Sequence, residues 1–175
     1  MASYYGDGIG TSAQPILTTL KSETRLFSAK EAMASDDFSM AQQLYELWQS
    51  LATDVPQSKQ LKIAKLDPSM MSNMVILDIL DGGKDYQWRL FGTTHADQYG
   101  DDLTGRRVSS VLKENPSVET LRNIFNKAAA DTNGTFFELH YLSEGSRIKV
   151  ATGVMVPLAD SQGRIIQLCG CCDWY

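Results

Sequence analysis

The sequence is short of the residues that most often carry catalysis or bind metals. Its 175 residues include two histidines and three cysteines, and their spacing matches no metal-ligand or nucleophile–base motif. A structural zinc site needs about four ligands in a tetrahedron, which this set does not supply. We therefore assign no catalytic and no metal-binding residue and expect a non-enzymatic protein.

Long apolar runs are also missing. No stretch approaches the roughly 20 apolar residues that a membrane-spanning helix needs. The first 13 residues lack the basic and apolar regions of a signal peptide, and position 2 lacks the glycine required for myristoylation. All three cysteines lie in the last seven residues, and an odd number fits free thiols in a reducing compartment. We expect a cytoplasmic protein without a membrane partner.

Positive charge is in deficit. The chain has 16 Lys and Arg against 21 Asp and Glu, a net charge of −5, and Arg106–Arg107 is its only adjacent basic pair. A nucleic-acid-binding surface needs a basic stripe, so nucleic acid is not expected as a partner. The glycines around this pair match neither the P-loop nor the dinucleotide fingerprint.

The N-terminal part reads as mostly helical. Residues 1–13 have no periodicity and suggest a flexible lead, and residues 14–33 carry a loose helical pattern. Asp36–Asp37 then offer N-caps for an amphipathic helix over 38–53, whose apolar stripe must pack on something.

The remainder reads as strands around a helical insert. Five segments alternate or are apolar, and turn residues separate them. The insert between the second and third strands contains short helices at Thr94–Tyr99 and 109–113 and a longer one from Ser117 to about Ala130. We predict an α+β domain with one antiparallel sheet, whose strands are 73–80, 85–91, 135–143, 147–158 and 165–174.

Strand alternation assigns some side chains to faces. Cys169 and Cys171 are expected on one face and Cys172 on the other, as small buried hydrophobes. In residues 85–91, Tyr86, Trp88 and Leu90 are expected together. Arg89 then faces the other way, toward the 38–53 helix, and needs an acidic partner; the candidates are Asp78 and Asp173.

Several motifs resemble the PAS domain, and in particular a bacterial, mainly alphaproteobacterial, subfamily of single-domain PAS proteins. They are LYELW at 44–48, LDP at 66–68, YQWRLFGT at 86–93, YGDDLTGR at 99–106 and VPLAD at 156–160. The resemblance covers about residues 40–175. It implies a five-stranded antiparallel sheet in the order 2-1-5-4-3, with helices on one face closing a cavity. Residues 1–35 lie outside the resemblance. We therefore divide the chain into an N-terminal, partly helical lead (1–35), an amphipathic helix with linker (36–72) and the PAS domain (73–175).

The resemblance places residues 92–105, which are interrupted by Gly92, Gly100 and Gly105, at the wall of that cavity. The candidate ligand-binding residues are Trp88, His95, Tyr99, Leu112, Phe125 and Tyr141. Haem is disfavoured because haem-binding PAS domains usually take their axial histidine from the long helix, and residues 117–130 contain none. Flavin is disfavoured because the insert has no cysteine, so we predict no cofactor. His95 itself is expected to be capped or solvent-facing, and His140 to lie on the surface.

Three functions remain open from the sequence. The first is a sensory or regulatory PAS module that binds a small molecule or a separate signalling protein. The second is an interaction domain that homodimerises through its N-terminal helix and sheet, without a ligand. The third is a small enzyme on an α+β cone, for which Asp97 or His95 would have to supply the acid or base.

Overall fold

The structure is a computed structural model that describes residues 17–51 and 54–175. The α-helices within these ranges are α1 (Ala29–Met33), α2 (Ser39–Gln49), α3 (Thr93–Tyr99), α4 (Val108–Glu114) and α5 (Glu119–Ala130). The strands are β1 (Thr18–Thr19), β2 (Arg25–Phe27), β3 (Met74–Leu80), β4 (Asp85–Phe91), β5 (Thr135–Leu142), β6 (Ile148–Ala159) and β7 (Ile165–Trp174).

All strands belong to one antiparallel sheet. The order is β1-β5-β6-β7-β3-β4, and β2 pairs with the same outer edge of β5 as β1. The five long strands lie close to the five predicted from the sequence, so the α+β class and the antiparallel sheet are confirmed. The chain crosses from β4 at one edge to β5 near the other, and the helical insert α3–α5 makes that crossing.

The N-terminal region differs from its prediction. Within residues 17–33 the chain forms β1, β2 and the five-residue helix α1 in place of one helix over 14–33. Pairing with β5 overrides the weak helical pattern there: Phe27 stands opposite Phe136, and its ring lies 5.2 Å from that of Phe38. The predicted flexible lead at 1–13, and residues 14–16, lie outside the described residues.

Helix α2 lies within the predicted range of 38–53, and its N-terminal cap differs from the prediction. It begins at Ser39, and the side chain of its N-cap residue, Phe38, makes no capping hydrogen bond. The carboxylate of Asp173, at the end of β7, accepts a hydrogen bond from the backbone N–H of Met40 at 3.0 Å. The predicted Asp36–Asp37 caps are therefore wrong, since both residues sit in a preceding 3₁₀ turn (Asp36–Phe38).

Helices cover both faces of the sheet, and each face has its own apolar core. On one face the sheet packs against α3, α4 and α5, with Trp88 and Leu168 fully buried. On the other face α2 buries Leu44 and Trp48 against β6 and β7. The predicted apolar stripe of α2 is thus satisfied within the chain, and helices do not lie on one face only.

A β-bulge interrupts the predicted alternation of β4. Ile76 pairs with Leu90 and Leu77 with Trp88, so Arg89 is an extra residue in β4. The bulge shifts the following side chains by one face. Leu90 therefore packs in the core under α2, away from Tyr86 and Trp88, which corrects the predicted grouping. Arg89 is 61% exposed rather than covered by a helix, and it forms a bidentate pair with Asp78 at 2.9 and 3.0 Å.

Glycines shape the chain where the insert begins. Gly92 donates to the backbone carbonyl of Met74 and leaves no room for a Cβ. Gly100 ends α3 in the left-handed region, with φ +94°, which glycine adopts without a Cβ penalty. Thr94 lies inside α3, whose N-cap residue is Gly92, and its hydroxyl donates to the side-chain oxygen of Asn73 at 3.1 Å.

The segment after α3 pairs with the outer edge of β4. Gly105 donates to the carbonyl of Trp88, and Trp88 donates to the carbonyl of Arg106. Both arginines of the pair bind carboxylates: Arg106 contacts Glu114 at 2.6 Å and Arg107 contacts Asp81 at 3.1 Å. Both guanidinium groups are thus paired within the chain.

No helix within residues 17–51 and 54–175 combines the length and apolar character that crossing a bilayer requires.

Candidate functional site

A small interior cavity lies between the sheet and the helical insert. Its volume is about 50 Å³, and β3–β7 together with α3 and α5 supply its walls. Below we call it the interior cavity. Most of its lining is apolar, and the aromatic part of that lining comprises Trp88, Phe91, Phe125, Phe137, Tyr141 and Trp174.

The structure brings four of the six predicted site residues together here. Trp88, His95, Phe125 and Tyr141 line the interior cavity. The other two lie outside the lining. Tyr99 packs its ring edge-on against Phe91 with centroids 6.2 Å apart, and Leu112 packs against the surrounding core.

His95 is buried and held by two hydrogen bonds. It is 4% exposed, so the solvent-facing expectation is wrong. Its Nε2 lies 2.8 Å from the backbone carbonyl of Asn73, and the indole N–H of Trp174 donates to its Nδ1 at 3.2 Å. Because a carbonyl only accepts and an indole only donates, these partners fix the neutral tautomer with the proton on Nε2.

Burial sets the protonation of this histidine. Desolvation lowers the pKa of His95 to about 4, and the hydrogen bond to Asn73 opposes the shift only in part. The imidazole is thus neutral at physiological pH. With both nitrogens occupied, it has no lone pair free for a haem iron and no site free for proton transfer.

Aromatic contacts connect His95 to the rest of the cavity. Its ring lies 5.5 Å from that of Phe91 and 5.8 Å from that of Trp174. Trp174 in turn packs against Tyr141 with centroids 5.2 Å apart. The wall of the cavity near α3 is therefore one continuous aromatic cluster built from β4, α3, β5 and β7.

Tyr141 contributes a phenol hydroxyl to the lining of the cavity. It is 7% exposed, and its hydroxyl makes no hydrogen bond to any residue within the described ranges. Burial raises the pKa of Tyr141 well above its ordinary value, and the neighbouring Cys172 and Tyr99 add to the shift. The phenol is therefore a neutral donor in an apolar setting.

The cysteines are packing residues. Cys169 and Cys171 lie in the core under α2, and Cys172 lines the interior cavity, which confirms the predicted alternation. Burial raises the pKa of the Cys172 thiol to about 12, so it is not a nucleophile at neutral pH. A Cβ at Gly153 would come within 2.6 Å of the Cys172 sulfur, so the thiol needs glycine on the adjacent strand.

The remaining candidates for chemistry are not in the cavity. Asp97 is exposed on α3. His140 is partly buried on β5, where it contacts Glu138 at 2.8 Å. Within the described part of the chain, no three His, Cys, Asp or Glu side chains are grouped so as to hold a metal ion.

Of the aromatic lining residues, sequence reasoning missed Phe91, Phe137 and Trp174. Phe91 enters the cavity because of the bulge at Arg89, which no local pattern in β4 indicates. Trp174 could have been found, because the alternation that separates Cys171 from Cys172 also puts residues 172 and 174 on one face.

Comparisons of the chain with protein-family models, with curated proteins and with solved structures return no match. The geometry of the interior cavity is therefore what bears on function.

Proposed function

We propose that this protein is a non-enzymatic sensory or regulatory module of the PAS type, which binds a small neutral molecule in the interior cavity. The order of the five long strands supports the family: numbered along the chain and read from β4, it is 2-1-5-4-3. The insert packed over one face supports it as well. The single observation that carries the function is the unpartnered hydroxyl of Tyr141 at a cavity between sheet and insert.

The cavity limits what binds. Its volume of about 50 Å³ is far below the roughly 300 Å³ of ordinary ligand sites. It corresponds to one or two water molecules at about 30 Å³ each. The ligand is therefore a molecule of a few non-hydrogen atoms. A charged ligand is disfavoured because nothing in the lining compensates its desolvation. A neutral molecule with a carbonyl oxygen would accept a hydrogen bond from Tyr141.

The end of β7 offers a route for the output. Cys172 and Trp174 face the interior cavity, whereas Asp173 between them faces the opposite side and holds the N-terminus of α2. A ligand that displaces Trp174 moves this capping carboxylate, because the three residues are consecutive in one strand. Helix α2 is then the element that a separate signalling protein would recognise.

The protonation states support a binding role over a catalytic one. His95 is locked neutral by two partners, Asp97 lies outside the cavity, and burial raises the pKa of Cys172 to about 12. An α+β-cone enzyme would need an acid or base in the cavity. Of the two candidates, His95 is held by two hydrogen bonds and Asp97 lies outside the cavity.

Thermal melting with small probes tests the proposal. The probes are xenon, for the apolar space, and formamide, acetamide and propionamide as carbonyl compounds of increasing size. We expect xenon and formamide to raise the Tm, with the effect fading along the series. Tyr141→Phe should abolish the formamide shift and keep the xenon shift. Tyr86→Phe is the matched control, because the Tyr86 hydroxyl donates to Asn126 away from the cavity. If no probe raises the Tm of the wild-type protein, or if Tyr141→Phe responds to formamide as the wild type does, the proposal is wrong.

A homodimerisation domain is the second candidate, favoured by an exposed apolar pair. Leu142 and Ile148 stand opposite each other across β5 and β6 and are 37% and 60% exposed. Sedimentation velocity on the wild type and on Ile148→Lys tests it, with Ile166→Lys, also an exposed β-strand position, as control. A dimer that only Ile148→Lys dissociates supports it, and a wild-type monomer overturns it.

A further inference from the structure

A second cavity lies at the edge of the sheet, where β2 leaves β5 and α1 begins. Its volume is about 240 Å³. The corner between β2 and α1, the C-terminal end of α5 and the start of β5 form its walls. We call it the edge cavity. At about 30 Å³ per water molecule it has room for roughly eight waters, or one small organic molecule.

One buried hydroxyl in this cavity lacks a partner. Thr135 lines the edge cavity and is 3% exposed, and its Oγ1 makes no hydrogen bond to the described residues. Buried hydroxyls in folded proteins are nearly always paired with protein, water or ligand. The position therefore indicates a group that the chain itself does not supply.

Two opposite charges flank the same cavity without pairing. Lys127 and Asp131 both line it, four residues apart at the end of α5. This spacing puts their Cβ atoms about 6 Å apart, yet neither belongs to an ion pair within the described ranges. One carboxylate oxygen of Asp131 accepts from the backbone N–H of Asn133 at 2.9 Å, which leaves the other oxygen available.

The position of Asp131 favours a cationic partner. It is the C-cap of α5, where the last backbone carbonyls concentrate negative partial charge. A carboxylate there is unfavourable by itself and gains from an ammonium group. The Lys127 ammonium does not reach it, so a ligand can supply that charge.

The opposite wall is mostly apolar, and its one polar side chain, Ser28, donates its hydroxyl to Glu31. Leu26, Phe27 and Ala29 line the corner between β2 and α1, and Leu26 is half exposed at the rim. The cavity thus combines Lys127, Asp131 and the unpaired hydroxyl of Thr135 with a largely apolar wall; its other polar lining residues are Ser28 and Asn133.

We infer that the edge cavity binds a small zwitterion, of the class of α-amino acids with an apolar side chain. The ligand ammonium binds Asp131, and the ligand carboxylate binds Lys127 and accepts a hydrogen bond from Thr135. The side chain packs on Leu26 and Phe27. This site is separate from the interior cavity, and its test does not depend on the function proposed there.

Isothermal titration calorimetry with L-leucine and two analogues tests the inference. L-Leucinamide lacks the carboxylate and N-acetyl-L-leucine lacks the ammonium. We expect leucine to bind and each analogue to lose at least about tenfold in affinity, which corresponds to about one lost charge-assisted contact. Failure of leucine to bind, or equal binding of all three compounds, overturns the inference.

Variants assign the contacts. Asp131→Asn should make leucine and 4-methylpentanoic acid bind equally, and Lys127→Met should do the same for leucine and leucinamide. Lys113→Met, at an exposed position in the last turn of α4, is the matched control and should bind leucine as the wild type does. An equal loss of affinity in Lys127→Met and Lys113→Met would contradict the assignment.

Thr135→Val separates a ligand site from a packing defect. The change keeps the shape of the side chain and removes the unpaired hydroxyl. We expect a higher Tm for the free protein and weaker leucine binding. A variant with a higher Tm that still binds leucine as the wild type does would show that the hydroxyl does not serve the ligand.

Discussion

The indole N–H of Trp174 donates to Nδ1 of His95 at 3.2 Å, across the wall of the interior cavity. Together with the 2.8 Å contact between Nε2 and the Asn73 carbonyl, it holds the only histidine of the cavity lining in one tautomer. The C-terminal residues of β7 therefore fix the first turn of α3, 79 residues earlier in the chain.

We expect His95 to make the protein less stable as the pH falls from about 6.5 to about 4. The unfolded chain binds a proton near the ordinary value of 6.5, whereas burial lowers the pKa in the folded protein to about 4. Protons therefore favour the unfolded state in this window. The loss amounts to about 3 kcal/mol, since one pKa unit corresponds to about 1.4 kcal/mol.

Urea denaturation at several pH values checks this. His95→Gln should lose this component of the pH dependence. His140→Gln, which alters the other histidine of the chain, should keep it. If both variants follow the wild type between pH 4.5 and 6.5, His95 is not buried and neutral as described.

We expect Asp173→Ala to destabilise the protein by about 1 kcal/mol, the usual value of a helix N-cap. The Asp173 carboxylate caps α2 from another part of the chain. Asp173→Asn keeps an acceptor oxygen and should lose less. Desolvation raises the pKa of Asp173, so protonation near that raised pKa adds stability to the wild type and not to Asp173→Asn.

Asp36→Ala is the control for this cap. Asp36 is exposed and lies in the turn that the sequence assigns as the cap. Its replacement should change the free energy of unfolding by less than about 0.5 kcal/mol. A larger loss for Asp36→Ala than for Asp173→Ala would reverse our assignment of the capping residue.

We expect Gly92→Ala to destabilise the protein by about 3 kcal/mol or more, because backbone atoms obstruct the new methyl group. The added Cβ would meet Ser72 O at 2.2 Å and Met74 O at 2.8 Å. Gly83→Ala makes a fair comparison: its Cβ meets nothing within 4 Å, but its φ is +91°. That strain costs about 1 kcal/mol. Denaturant midpoints of the two variants check the order, and equal losses would contradict the close approach at Gly92.

We expect Asp85→Asn to cost about 2 kcal/mol, a typical value for hydrogen bonds to a charged group. Asp85 is buried at the start of β4 and accepts from the backbone N–H and the hydroxyl of Ser109, at 3.1 and 2.7 Å. Desolvation alone would raise the pKa of Asp85. The hydrogen bonds from Ser109 and Tyr86 outweigh it, and the pKa is lowered. The stabilisation is therefore lost as the pH falls through the lowered pKa.

Asp81→Asn provides the matched comparison, since both carboxylates contact Arg107. Asp81 is exposed, and surface ion pairs contribute less than about 1 kcal/mol. Chemical denaturation at pH 7 and in acid should separate the two variants. Similar losses in both would mean that Arg107, rather than Ser109, dominates the stability of this corner.

The sequence predicted what depends on local pattern. The five long strands, the alternation of Cys169, Cys171 and Cys172, and the amphipathic helix near 38–53 all follow from periodicity. The features that it did not predict depend on distant partners. The cap of α2 comes from Asp173, more than 130 residues away, and the strands β1 and β2 form because β5 offers them an edge.

The candidate site also combines residues that local pattern predicts with residues whose positions depend on a neighbouring strand. Trp88 was placed correctly because it precedes the bulge. Beyond it, one extra residue reverses every later side chain of β4, so that Leu90 leaves the cavity side and Phe91 enters it. Whether such an insertion is tolerated depends on Ile76 and Leu77 in the neighbouring strand. The sequence of β4 alone therefore does not predict the bulge.

The chain itself occupies parts of both borders of its sheet. Strands β1 and β2 pair with β5 at one border, and the backbone around Gly105 pairs with β4 at the other. A strand from another protein cannot form main-chain hydrogen bonds along these stretches. They are therefore not available for β-augmentation or for intermolecular sheet growth. Any protein that binds along these stretches must recognise side chains rather than the backbone. Single surface substitutions should therefore be enough to alter its specificity.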